Sequence, residues 1–156
     1  MTIDHTDREI LRMLQDNART PNAEMARRLG MAASAVHQRL RRLEERGVVK
    51  GYGGRLNARA LGYGLVAFVM VQTRDNASEY DTGSLIAALP EVQEVHRVVG
   101  EDCFIVKVRV RDTEDLAELL EHRLQQIPSI ASTRTTIVVK TLKETADLPL
   151  AEFTPQ

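Results

Sequence analysis

Two copies of one pattern, thirty-eight residues apart, constrain the second half of this chain more than any single motif does. Leu89-Pro90-Glu91-Val92 and Ile127-Pro128-Ser129-Ile130 stand at equivalent points, each closing a helical stretch and opening a strand-like one. Leu65 to Thr73, Val92 to Val99, Cys103 to Val110 and Ile130 to Lys140 read as strands, and Ser78 to Leu89 and Thr113 to Gln126 as helices, from the change in apolar period. Asp112 is placed to cap the second helix, whose Leu116, Leu119, Leu120, Leu124 and Ile127 fall on one side. Two βαβ units in series predict a ferredoxin-like βαββαβ sandwich over residues 64–143.

An antiparallel sheet with helices on one face alternates apolar and polar residues along its strands. Leu65-Val66-Ala67-Phe68-Val69-Met70-Val71 does not alternate, so both faces of that strand need cover. One helical layer supplies one cover. The most economical second cover is another copy of the same sheet, which predicts a homodimer through this region, a domain-to-domain contact within the chain being the alternative.

Residues 1–47 carry a different pattern, three short helices. Thr6-Asp7-Arg8-Glu9 has the form of a capping box, followed by an apolar face of Ile10, Leu11 and Leu14. Thr20-Pro21 opens a second helix with proline at its first position, Met25, Ala26 and Leu29 form its stripe, and Gly30 ends it. The third runs to Arg46 and stops at Gly47, with Val36, Leu40 and Leu43 at i, i+4 and i+7. Residues 48–63, with Gly51, Gly53, Gly54 and Gly62, predict a short strand and hinge. The fold class is therefore α+β, a helix-turn-helix domain of winged-helix type followed by the sandwich, with residues 144–156 as a tail that carries no motif.

Charge separates the same two halves. Residues 1–62 hold twelve Arg/Lys and seven Asp/Glu, a net of +5, whereas residues 63–156 hold nine and fifteen, a net of −6. A basic front and an acidic back suit a polyanion-binding module joined to one that need not touch the polyanion. One cysteine makes no internal disulfide, and no Cys/His pair has metal-ligand spacing, so no metal and no cofactor is expected. No leader-like or membrane-spanning segment is evident, and a cytoplasmic protein is the expectation.

A helix-turn-helix needs a small residue at the helix crossing, a glycine in the turn and an apolar anchor on the recognition helix. Ala26, Gly30 and Val36 fill those roles. Away from the buried stripe lie Ser34, His37, Gln38, Arg41 and Arg42, an outward face of hydrogen-bonding groups suited to double-stranded DNA. Gln38 has the geometry to read adenine and an arginine to read guanine, each bidentate pair contributing about 1–3 kcal/mol of discrimination. Lys50, Arg55 and Arg59 would supply sequence-blind phosphate contacts. A three-helix protein-binding module with a basic face is the alternative on these residues alone.

The run Arg39-Leu40-Arg41-Arg42-Leu43-Glu44-Glu45-Arg46-Gly47-Val48-Val49-Lys50-Gly51-Tyr52 resembles the Lrp/AsnC family of feast/famine regulators, whose recognition helix continues as R-x-x-R-L-E-x-x-G-x-I-x-G-Y. Ile3-Asp4, Asp7, Ile10-Leu11, Arg19, Asn22 and Leu61-Gly62 extend the match, which covers roughly residues 3–143. The resemblance implies a transcription regulator, not an enzyme, whose second domain dimerises, often builds octamers and binds an amino-acid effector at a subunit interface. A ligand-independent architectural DNA-binding oligomer is the alternative. Ala32-Ala33 departs from the family's Ser cap, leaving Ser34 or packing to start the recognition helix.

Gly100-Glu101-Asp102-Cys103 admits several readings from local sequence: a hairpin turn with no further role, a ligand pocket, or a nucleophile at Cys103 with His96 as base. With a tight turn between the strands, His96 falls about three residues up the ladder, roughly 10 Å from Cys103, too far for the catalytic pair. The resemblance implies that the turn belongs to the effector pocket, its glycine and neighbouring amides near the ligand carboxylate and its acid near the ammonium. Gly100 matches that glycine, while Cys103 occupies the family's Asp position and the nearest acids are Asp102 and Glu101, so either Asp102 takes over the ammonium, or the pocket recognises a different ligand, or it is vestigial. Thr133, Thr135 and Thr136 match positions close to the same pocket.

Overall fold

The computed structural model describes residues 2–74 and 79–150; the expected helix start at Ser78 and residues 151–156 of the expected tail lie outside them. The chain forms two compact units, one running to Arg55 and resuming at Glu144, the other Leu56–Lys143.

In the first unit α1 spans His5–Asp16, α2 Asn22–Leu29 and α3 Ala33–Glu45. The capping box is not the expected one. Asp4, in extended conformation, is the N-cap of α1: its carboxylate accepts from the Asp7 amide at 2.8 Å and the Asp7 carboxylate accepts from the Asp4 amide. Thr6 is already inside the first turn and has no helix start to cap. Pro21 likewise precedes α2 as its N-cap (ψ 146) instead of being its first residue, and Arg46 is the C-cap of α3, not its last residue. Gly30 turns the chain out of α2 with φ 64, a left-handed conformation that glycine adopts without a Cβ penalty. Ala32 caps α3 with no side-chain hydrogen bond, so this helix starts on packing and Ser34 does not cap it. Ile10, Met13, Met25, Ala26, Val36 and Leu43 form the core of the unit. Each fully buried large side chain there contributes about 1.5–3 kcal/mol.

The short strand expected within residues 48–63 is not formed. A strand needs a laddered partner, and residues 50–57 join none within the chain, while amides at the two ends of the segment turn back: Val48 and Val49 donate to the Leu43 carbonyl at 2.9 and 3.2 Å, and Tyr63 to Ala58 at 2.8 Å.

In the second unit β1 spans Leu65–Thr73, α4 Glu79–Ala87, β2 Val92–Arg97, β3 Phe104–Val110, α5 Thr113–Glu118 and β4 Ile130–Ile137. The strands lie in the order β2-β3-β1-β4, every neighbour antiparallel, which is the split-βαβ arrangement. Elements end one to three residues inside several expected limits, as at Arg97 and Ile137. The expected second helix changes character: α5 is capped by Asp112 and continues as π-helical turns over Leu119–Leu124, closed by Gln125 donating to Leu120 at 3.0 Å. The wider turn brings Leu119 and Leu124, five residues apart, into the core.

Ala67, Val69 and Val71 of β1 and Phe104, Val106, Val108 and Val110 of β3 form the helix-covered face, with Ile86, Leu116, Leu119 and Leu124 above them. Gly83 of α4 packs against Phe104: a Cβ there would stand 3.1 Å from the ring. On the opposite face Phe68 and Met70 are half-buried beside Ile105, and Lys107 pairs with Glu94 at 2.9 Å. No helix among the described residues is long and apolar enough to cross a membrane.

Candidate functional site

Two sets of residues carry the candidate chemistry, one in each unit. On α3, Ser34, His37, Gln38, Arg41 and Arg42 are all exposed, at i, i+3, i+4, i+7 and i+8, and so share one face. Arg39 shows why they do. Nη1 of Arg39 donates to Asp4 at 2.6 Å and to Asp7 at 2.8 Å, and this fixes the rotation of α3 against the start of α1. Asp7 is only 4% exposed, and the Arg39 guanidinium is its ionic partner. The Asp7 amide and then the Arg39 guanidinium hold the Asp4 carboxyl below its ordinary range.

The outward face is lightly engaged. Arg41 meets Glu45 at 2.8 Å in an exposed i, i+4 pair, a contact of well under 1 kcal/mol that a phosphate or base edge would replace. The Arg42 Nε donates to the Gln38 carbonyl at 3.4 Å. His37 Nδ1 lies 3.3 Å from the Asn22 side-chain amide. With Asn22 donating, a neutral His37 carries its proton on Nε2 and offers a donor there. Asn22 was not among the expected interface residues, although its place at the start of α2, in contact with α3, is the signal that would have found it.

Lys50 and Arg55 are exposed in the segment after α3. Tyr52 ties that segment back to the helix, its hydroxyl donating to Glu44 at 2.7 Å, and burial together with the Glu44 charge pushes its pKa up to about 12. Arg55 pairs with Asp147 of the tail.

In the second unit Gly100 has φ 148, a conformation that favours glycine, and lets the chain turn between β2 and β3. Each residue after it has a partner. The Glu101 carbonyl accepts from Gln72 Nε2 at 3.1 Å, and Gln72 Oε1 accepts from the Ser132 hydroxyl at 2.8 Å. Asp102 accepts from Arg134 at 2.9 Å. The Cys103 thiol accepts from the Thr73 hydroxyl at 3.2 Å, and its amide donates to Val71 at 2.9 Å. The Thr73 hydroxyl, then the Thr73 backbone and the Arg97 charge, hold the thiol below its usual pKa, against burial and Asp102.

Pairing splits the three threonines. Thr133 and Thr135 sit opposite Val71 and Val69 on the helix-covered face, whereas Thr136 sits opposite Phe68 on the other. Thr133 therefore stands beside the strand segment that receives the Cys103 amide, and Thr136 does not share its face. His96 is opposite Ile105, with its ring 3.2 Å from Glu94. Val98 stands against Cys103, donating to its carbonyl at 3.0 Å. Gln72, Thr73, Ser132 and Arg134 were missed. They are the polar residues at the end of an apolar strand and on its β4 neighbour, and only the strand order brings them to the turn.

Comparison with known proteins agrees with both halves of this picture. A winged helix-turn-helix DNA-binding model matches residues 3–50, and a Lrp/AsnC ligand-binding domain model matches residues 66–148. The chain is 36% identical over 149 residues to the HTH-type transcriptional regulator FL11 of Pyrococcus horikoshii, covering 95% of this chain and 97% of that one. Its fold is similar to that of Escherichia coli AsnC, with a TM-score of 0.89 at 28% identity over 94% of this chain and 99% of the other. It is similar also to the feast or famine regulatory protein Rv3291c of Mycobacterium tuberculosis, complexed with L-methionine, at a TM-score of 0.87 and 35% identity over 94% and 99% of the two chains.

Proposed function

Since the chain belongs to the Lrp/AsnC family of transcriptional regulators, we propose that α3 is its recognition helix and that Ser34, His37, Gln38, Arg41 and Arg42 meet the edges and backbone of duplex DNA, in the cytoplasm. The exposed face held in rotation by the Arg39 clamp carries this reading. Lys50 and Arg55 take phosphates and set the salt dependence.

The second unit acts as sensor and assembly domain. The half-buried patch of Phe68, Met70 and Ile105 supports a homodimer through the uncovered face of the sheet, with higher assembly up to an octamer built on it. A dimer favours a two-fold symmetric site with half-sites about 34 Å apart or at multiples of that spacing. L-methionine bound to a similar protein supports an amino acid as effector, at the turn of Gly100, Glu101, Asp102 and Cys103 with Thr133 and Thr135 behind it. Thr136 lies on the other face, the one that carries Arg134, the partner of Asp102. The ligand controls DNA binding by favouring one subunit arrangement over another, and the chain works as a regulator rather than a catalyst.

Replacing Arg41 and Arg42 together with Ala tests the reading. Gel shifts with genomic fragments are expected to lose the retarded band while sedimentation of the oligomer is unchanged. Retention of the band would overturn it.

A further inference from the structure

Residues 144–150 follow β4 in the chain yet belong to the compact unit of the three helices. Two different interactions hold them there. The Gln15 side chain on α1 grips the Leu148 backbone at both ends: its Nε2 donates to the Leu148 carbonyl at 3.0 Å and its Oε1 accepts the Leu148 amide at 2.8 Å. One residue earlier, Asp147 accepts from Arg55. Leu148 and Leu150 then close one side of a groove of about 790 Å³ whose other walls include Leu11, Leu14, Val48 and Val49.

We propose that residues 144–150 form an intramolecular latch on the DNA-binding unit, in which the Asp147 carboxylate occupies Arg55 as a stand-in for a DNA phosphate. The inference rests on the reading of Arg55 as a phosphate contact. A carboxylate and a phosphate offer a guanidinium the same pair of anionic oxygens. The pair is exposed, with Arg55 side-chain accessibility at 73% and Asp147 at 42%, so it is weak and screened by salt. A polyanion that brings many phosphates at once displaces it, while the Gln15 grip on Leu148, which uses no charge, keeps the segment in place. Sequence-blind binding is thereby held down until the remaining contacts of a true site are made.

Fluorescence anisotropy with a random-sequence duplex at low salt tests the latch on the full-length protein. Asp147→Asn is expected to bind about two- to fivefold tighter than wild type, the range an exposed ion pair can supply. In an Arg55→Ala background the same substitution is expected to change nothing. Asp16→Asn, which removes an equal charge from the same groove, controls for net charge. Equal tightening by Asp16→Asn, or tightening by Asp147→Asn that persists without Arg55, would overturn the latch. So would an Arg55→Ala protein that binds as tightly as wild type. That last result removes Arg55 from the interface, whereas the reading of α3 stands or falls separately on the Arg41 and Arg42 substitution.

Discussion

Arg39 of α3 and Asp7 of α1 meet at 2.8 Å, with the aspartate almost wholly enclosed and the arginine shared with Asp4. Two helices remote in sequence are locked by one guanidinium, and the lock uses the arginine that does not face outward. Arg39→Ala leaves the enclosed Asp7 carboxyl with the Asp4 amide and without its ionic partner. Breaking a buried pair from one side costs about 3–5 kcal/mol, and the partial exposure of Arg39 places this case toward the lower end. Chemical denaturation is expected to show a loss of about 2–4 kcal/mol, and less for Arg39→Lys. Arg41→Ala, two residues away and exposed, is expected to stay within about 0.5 kcal/mol of wild type. Equal effects of the two alanine substitutions would dissolve the distinction between clamp and contact.

Acid acts on the same cluster. In the folded chain the Asp4 carboxyl titrates below its ordinary range, held down first by the Asp7 amide and then by Arg39. A depressed folded pKa contributes stability that is complete above the unfolded value and is lost as pH falls through the folded one. Melting temperature followed downward from pH 5 should therefore decline below pH 4. Asp4→Asn is expected to start lower at neutral pH and to fall less over that window. A parallel decline in the two proteins would remove Asp4 from the account.

How far this was legible beforehand depends on where each signal lives. The order of strands and helices was readable because the proline repeat and the apolar periods are local, and the outward face of α3 because helical geometry fixes which residues oppose Val36 and Leu43. The start of α1 was misread. Thr6 and Glu9 have the capping-box spacing, but Asp4 and Asp7 have an equivalent one two residues earlier, and Arg39, thirty-two residues beyond Asp7, favours the earlier pair. The neighbours of the glycine turn were invisible for a related reason: Gln72, Ser132 and Arg134 come from strands whose adjacency is set by the order β2-β3-β1-β4, not by any spacing along the chain. The strand expected after α3 failed because glycines mark where a chain can turn and extend and say nothing of a ladder to join.

Asn22 and His37 form a small unit on the outward side. If the Asn22 amide fixes His37 as an Nε2 donor, the two side chains act together on DNA. Asn22→Ala and His37→Ala are each expected to weaken operator binding a few-fold. The double variant is expected to lose little more than His37→Ala alone, since contributions that pass through one group do not add. Strict additivity in gel-shift titrations would mean that they act apart.

Lys50 is a point charge in the segment that Tyr52 ties to α3. As a phosphate contact it carries no sequence information, and each such contact contributes about 0.9 to the slope of log affinity against log salt. Lys50→Ala is expected to weaken specific and random duplexes alike and to flatten that slope by about this amount. Gln38→Ala should instead narrow the gap between the two duplexes, by about 1–3 kcal/mol for a bidentate contact. If Lys50→Ala changes sequence preference, the lysine reaches a base edge.

Asp102 is already held by Arg134 across the strands, so an amino-acid ammonium at this turn must share or displace a guanidinium. Removing the arginine frees the acid; removing the acid leaves the ammonium without a counter-charge. A thermal-shift screen of the twenty amino acids is therefore expected to find at least one that stabilises the wild type. That amino acid should lose most of its shift on Asp102→Ala and keep it or gain on Arg134→Ala, because stabilisation follows ligand affinity through RT ln(1 + [L]/Kd). Cys103→Asp, which puts an acid at the next position, is expected to change which amino acids register. Equal shifts in wild type and Asp102→Ala would place the ammonium elsewhere and leave this turn to its hydrogen bonds with Gln72, Thr73 and Arg134.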